Sequence, residues 1–204
     1  VNDRSTTQRL QRTVLTGKNI TLNASDRNRL TATDIQGDNI TLQGGELTLD
    51  GQMLTQTQGH THNQDKLTWR HNVTTESEQR QQIGTSVKAR ENATLKATGG
   101  DIQLKGSSVE AGKNLALNAT GDIQLTGLVE QKTSTETGYR KNHTASLLTG
   151  NWQESSESES LKKSQLRAGD NLGLTAGNTV VTHAGHVQAG KDLLVTAEKV
   201  QIGV

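Results

Sequence analysis

Apolar and polar residues alternate along most of this chain with a period of two. Leu115, Leu117 and Ala119 are interleaved with Ala116 and Asn118, and Ile123 and Leu125 with Gln124 and Thr126. Alternation of this kind marks a strand with one face turned inward. The same grammar occurs at Gly45-Glu-Leu-Thr-Leu49, Gly100-Asp-Ile-Gln-Leu104, Gly121-Asp-Ile-Gln-Leu125 and Gly177-Asn-Thr-Val-Val181. Gly-Asp and Gly-Lys-Asn interrupt it at short intervals. These are turn residues, because Gly and Asn tolerate positive φ and Asp or Asn bonds its local backbone.

The alternation is itself repeated. Gly17-Lys-Asn-Ile-Thr-Leu22 returns as Gly37-Asp-Asn-Ile-Thr-Leu42, Gly112-Lys-Asn-Leu-Ala-Leu117, Gly169-Asp-Asn-Leu-Gly-Leu174 and Gly190-Lys-Asp-Leu-Leu-Val195, with a degenerate copy at Glu91-Asn-Ala-Thr-Leu95. The copies pair off: Leu22 to Leu42 is 20 residues, Leu95 to Leu117 is 22, and Leu174 to Val195 is 21. A period near twenty means that one structural unit stacks on itself. Antiparallel hairpins would not bring back the same strand in the same phase. The pattern predicts an all-β fold, a right-handed parallel β-helix (β-solenoid) of about 20–22 residues per coil. Each coil would hold two or three short strands, resting on its predecessor at about 4.8 Å.

In two stretches, approximately 55–83 and 131–165, the pattern gives way to Thr, Ser, Gln, Glu and charge. They resemble each other. Leu67-Thr-Trp69 precedes Thr74-Thr-Glu-Ser-Glu78 in the first, and Leu148-Thr-Gly-Asn-Trp152 precedes Ser155-Ser-Glu-Ser-Glu159 in the second. Ser5-Thr-Thr-Gln-Arg-Leu10 looks like the tail of a third copy. The larger unit is therefore two coils plus one insertion. An insertion could be a disordered loop, which its polarity allows, or a long β-hairpin, which Thr-rich alternation supports, with Gly59 or Gly138 at bends. Geometry adds weight to the hairpin. Two coils advance the axis by about 9.6 Å, and a hairpin two strands wide covers the same about 9.6 Å. Successive hairpins could thus stack into one side sheet. Residues 1–204 are expected to be a single β-solenoid fragment of a longer repeat array.

Composition narrows the reading further. The chain has no Cys, Pro or Phe, one Tyr and two Trp, with 29% hydrophobic residues and a mean hydropathy of −0.70. A thick aromatic-filled core is excluded; a narrow interior of Leu, Ile, Val and Ala is not. Net charge is +1 with both signs interspersed, which argues against a nucleic-acid partner. No apolar run reaches the roughly 20 residues of a transmembrane helix. No signal peptide is visible at Val1, so an export signal would lie outside this stretch.

Candidate chemistry is sparse. His60 and His62 would share a strand face, near His71, with His183 and His186 later. No acidic or thiol partner sits at metal-ligand spacing, so they read as solvated surface side chains, and no cofactor or metal is expected. Asp34, Asp38, Asp101, Asp122 and Asp170 read as corner residues, and the calcium-binding glycine-rich nonapeptide is absent. Sequons at Asn19, Asn23, Asn39, Asn72, Asn92, Asn118 and Asn142 arise wherever a corner Asn meets a strand Thr or Ser. Carboxylates are dispersed and no nucleophile or nucleotide motif is present, so an enzyme is not expected. Trp69, Tyr139 and Trp152 are the only aromatics, and all fall in the insertions. They either pin the insertions or contact a partner or membrane interface. The repeat corners are carried by Gly17, Asn19, Gly37, Asn39, Gly112, Asn114, Gly169, Asn171 and Gly190.

The phrases Ala111-Gly-Lys-Asn-Leu-Ala-Leu-Asn-Ala119 and Gly-Asp-Ile-Gln-Leu, with polar insertions every two coils, resemble the haemagglutinin repeats of filamentous haemagglutinin-like exoproteins of Gram-negative bacteria. The pattern is most similar to the second repeat region of contact-dependent growth inhibition exoproteins. The resemblance covers essentially the whole chain. It implies two-partner secretion through a dedicated outer-membrane transporter and a secreted, cell-surface location reached by way of the periplasm. It implies a role in toxin delivery through contact with the target-cell outer membrane or its proteins, or else a structural or adhesive shaft. Self-association along the solenoid ends or the side sheet is a further expectation. Membrane insertion of the insertions as they stand is not expected. A lipid-facing strand needs about ten alternating apolar positions, and Thr74–Gln82 is too polar.

Overall fold

The computed structural model describes residues 2–66, 68–142 and 149–203. Two compact units emerge, one comprising Gln11–Gln52, Gln82–Leu128 and Leu161–Val204, the other Val1–Leu10, Met53–Gln81 and Val129–Ser160. In chain order, β1 (Asn2–Thr7) leads into a first coil of β2 (Thr13–Thr16), β3 (Asn19–Asn23) and β4 (Arg27–Thr31), then a second of β5 (Thr33–Gly44) and β6 (Glu46–Asp50). The first insertion supplies β7 (Gln52–Lys66) and β8 (Trp69–Ile83). A third coil, β9 (Ser86–Ala97) and β10 (Ile102–Lys105), and a fourth, β11 (Ser108–Ala111), β12 (Leu115–Ala119) and β13 (Ile123–Thr126), follow. The second insertion is β14 (Leu128–Asn142) and β15 (Thr149–Lys162). The chain continues through β16 (Ser164–Ala168), β17 (Leu172–Ala176) and β18 (Thr179–His183) to β19 (Gly185–Ala189), β20 (Leu193–Thr196) and β21 (Lys199–Gly203).

The first unit is a parallel β-solenoid. Its three faces are rows of in-register strands, β5 and β9 each running through two faces. Positions matched by the sequence repeat stack in one row: Leu22, Leu42, Leu95, Leu117, Leu174 and Val195. On another face Leu47, Ile102, Ile123 and Val180 do the same. From Ile35 to Val180 these inward residues are essentially inaccessible to solvent. Each buried Leu, Ile or Val contributes about 1.5–3 kcal/mol, which is how an interior without aromatics holds.

Two polar ladders run beside the apolar rows. Asn39 Nδ2 donates to Asn19 Oδ1 at 3.2 Å, Asn92 to Asn39 at 3.2 Å, Asn114 to Asn92 at 3.2 Å, and Asn171 to Asn114 at 3.1 Å. The corner asparagine therefore bonds the neighbouring coil, not its own local backbone as the turn reading expected. Asp192 holds this place in the sixth coil, and a carboxylate has no N–H to donate. Replacing Asn114 by alanine removes its bonds to Asn92 and Asn171. Net hydrogen-bond values near 1 kcal/mol each give an expected loss of about 1–2 kcal/mol in urea denaturation. Asn118→Ala, on an outward strand position, should change little.

The second ladder is buried. Thr33 N–H donates to Thr85 Oγ1 at 3.3 Å, Thr85 N–H to Ser107 Oγ at 3.2 Å, and Ser107 N–H to Ser164 Oγ at 3.4 Å. The hydroxyls turn back to carbonyls, Thr85 to Asp50 at 2.8 Å and Ser164 to Thr126 at 2.6 Å. Polar groups this deep need partners, and each coil supplies them to the next. Within a coil pair, the third corner is turned by one residue with positive φ: Ala32 at 47°, Gly106 at 53° and Ala184 at 56°. Between pairs the hairpin takes its place.

The glycines of the repeat phrase do something other than adopt positive φ. A Cβ on Gly112 would collide with the carbonyl oxygen of Arg90, one on Gly169 with that of Gly112, and one on Gly190 with that of Gly169. They permit close stacking of coil on coil. Asp34 also departs from the corner reading. It sits in β5 at an outward position, paired to Arg12 at 2.6 Å.

The second unit is a five-stranded sheet in the order β1-β7-β8-β14-β15. Both insertions are long hairpins, and β8 of the first pairs antiparallel with β14 of the second from Arg80↔Gln131 to Asn142↔Trp69. The N-terminal segment joins as an edge strand, Asn2↔Thr61 to Thr7↔Gln56. Gly59 and Gly138 lie inside β7 and β14, not at bends. Leu67 and Leu148 fall outside the described residues.

Candidate functional site at the turn end of the hairpin sheet

The register places Trp69, His71 and Val73 of β8 opposite Asn142, Arg140 and Gly138 of β14. Side chains alternate across a sheet, so these positions share a face. Trp152 of β15 reaches over β14 to this face. Its indole stacks on His71, centroids 5.5 Å apart at 24°, and Nε1 donates to Glu136 Oε1 at 3.4 Å. The ring occupies the space that a side chain at 138 would fill. Gly138 is thus the seat of Trp152, a glycine covered by an aromatic from the adjacent strand. Trp69 meets His71 edge-on at 5.9 Å, and Lys66 Nζ lies 5.4 Å from the Trp69 ring centre. Four side chains, Lys66, Trp69, His71 and Trp152, form one continuous stack beside the first hairpin's turn. Trp152 remains 36% exposed.

Tyr139 is not part of it. It pairs with Asn72 and projects from the other face, and with Thr74, Thr137, Gly138 and Trp152 it borders a groove of ≈ 450 Å³. The sequence grouped three aromatics that the register divides two to one. It read His71 as a solvated surface side chain and Gly138 as a bend, and so did not join either to the aromatics. The signal for Gly138 was a glycine within a strand-like Thr-rich run, which points to close approach by another group.

Electrostatics change along the strands. Near the turns, Lys66, Arg70, Arg140 and Lys141 stand against a single carboxylate, Asp65. Asp65 binds Arg70 at 2.7 Å, and this hydrogen bond and charge raise the Arg70 pKa further above its already high ordinary value. Lys66, Arg140 and Lys141 are exposed. Over 73–80, 130–137 and 154–160 the balance reverses: seven glutamates face only Arg80 and Lys132. His60 pairs with Asp3, and no cluster of three or more metal-ligating side chains occurs among the described residues. The corner residues Gly17, Asn19, Gly37, Asn39, Gly112, Asn114, Gly169, Asn171 and Gly190 lie in the solenoid and hold its stacking.

The profile of the hemagglutinin repeat family matches residues 68–203. The chain belongs to the hemagglutinin repeat family. This hemagglutinin repeat is 51% identical over 205 residues to a hemolysin of Serratia marcescens, covering 100% of the chain and 13% of that protein. It is 44% identical over 198 residues to a hemolysin of Proteus mirabilis, covering 97% of the chain and 13% of that protein. The chain thus spans about an eighth of the length of these relatives. No solved structure matches it.

Proposed function

We propose that this hemagglutinin repeat is a stiff, extendable segment of a large hemolysin-type exoprotein. In this reading it helps carry an activity borne elsewhere on that protein across the outer membrane of a contacted target cell. The observation that carries the reading is that one unit extends two structures at once. Two coils lengthen the solenoid, with its Asn and hydroxyl ladders, while one hairpin adds two strands to a continuous sheet. A shaft alone needs only the coils. Long hairpins that pair with one another and gather aromatics and cations at their turns supply a contact surface as well. The relatives' name supports a membrane-directed protein.

The test replaces residues 52–83 and 128–163 by tight turns in the full-length exoprotein, keeping coil register. Target-cell binding and target-cell damage are then measured separately. Damage lost with binding retained is the expected result. If both survive, the segment is a structural or adhesive shaft, a reading that the ladders linking coil to coil also favour.

A further inference from the structure

We infer that the turn end of the hairpin sheet docks on an anionic phospholipid surface, with Trp69 and Trp152 in the headgroup layer and Lys66, Arg140 and Lys141 on the phosphates. The inference rests on the delivery reading and names the partner of that contact surface. Three observations carry it. Both tryptophans lie within a few residues of the turns, on one face, joined through His71. Trp and Tyr are favoured at the interface because one part of the ring system is apolar and another donates a hydrogen bond. Next, three exposed cations form no ion pair among the described residues: Lys66 lies against Trp69, Arg140 stands opposite His71, and Lys141, opposite Arg70, stands at the same level on the other face. Finally, four of the seven glutamates are set apart from this end of the sheet. Glu76 and Glu78 lie roughly 23–30 Å along the strand from Trp69, and Glu157 and Glu159 roughly 16–23 Å from Trp152, at about 3.3 Å per residue. These spans exceed the Debye length of about 8 Å at physiological salt, so those glutamates do not cancel the attraction. Besides paired Asp65, the nearest carboxylates are Glu136, which accepts from Trp152, and Glu154.

A protein surface would suit an apolar patch. Here the stack is a narrow strip rimmed by cations, which matches a layer of phosphates over an apolar interior. The contact is by the end of the sheet, not by its face, whose Thr, Ser and Glu side chains could not enter hydrocarbon.

The experiment uses the 204-residue chain with vesicles of phosphatidylglycerol and phosphatidylcholine, against phosphatidylcholine alone. Co-sedimentation with the anionic vesicles, a blue shift of tryptophan emission and quenching by brominated lipid tails are expected. A basic residue near such a surface contributes roughly a fivefold factor in affinity. K66Q/R140Q/K141Q should therefore bind about a hundredfold more weakly at an unchanged denaturation midpoint. Quenching in the unsubstituted chain reports the same contact without any variant. No preference for anionic vesicles, no quenching, equal binding by the triple variant, or displacement by millimolar inorganic phosphate would each overturn the assignment, the last leaving only an ion site. Failure here with damage still dependent on the hairpins removes the lipid partner and leaves the delivery reading. Vesicle binding with damage independent of the hairpins does the reverse.

Discussion

Gly112→Ala is expected to lower stability by about 3 kcal/mol, and Gly173→Ala, in the next coil, to leave it unchanged or raise it by up to about 1 kcal/mol. The contrast isolates what the repeat glycine does. At Gly112 the new Cβ meets the carbonyl oxygen of Arg90 on the coil before, and Gly169 repeats the arrangement on the coil after. That oxygen belongs to the backbone, so no side-chain rotation relieves the contact. The coils must separate locally or tilt, at the upper end of overpacking costs. At Gly173 a Cβ meets nothing within 4 Å. Its stacked neighbour Ala116 already carries one there. Removing glycine also reduces the entropy of the unfolded chain. Urea midpoints of the two variants measure the difference. Equal midpoints would mean that the phrase glycine is only a turn residue.

That outcome would have agreed with the reading of Gly-Lys-Asn as local turn chemistry. What the phrase does encode is stacking. Its apolar half was legible, because an inward row needs the same residue type at the same phase, and Leu22 through Val195 repeat it in register. The polar half was misread because an asparagine that bonds its own turn and one that bonds the coil above look alike in one dimension. Register also hides an offset. Gly37 pairs with Ala89 and Asn39 with Asn92, so the third coil carries one more residue in this corner. The phrase copies are therefore not equivalent: Gly112 falls where the third coil has Arg90. The hydroxyl ladder went unseen, although a Thr or Ser stands two residues before Ile35, Val87, Val109 and Leu166. Counting strand widths foresaw the continuous hairpin sheet. The aromatic cluster did not follow from sequence, because it depends on which residues face each other across β8, β14 and β15.

Leu117→Ala is expected to cost about 3–4 kcal/mol, and Val195→Ala, in the same row, about 1 kcal/mol. Leu117 is fully buried between Leu95 and Leu174, whereas Val195 is only partly buried and, among the described residues, pairs on one side with Leu174. Leu→Ala losses in packed cores run from about 2.7 to 5 kcal/mol, growing with the cavity that remains. Here the cavity has little means of closing. Its walls are backbone strands fixed by ladders on both sides, and no long or aromatic side chain is available nearby to fill it. A stacked array also limits how far the damage travels, since each coil touches only its neighbours. Amide exchange should therefore quicken most in β9, β12 and β17, and less in β3. Uniform acceleration over all six coils would show that the array unfolds as one unit. Confinement to the neighbours would show that its stiffness is the sum of local contacts, so that any two-coil unit can be altered without dissolving the rest.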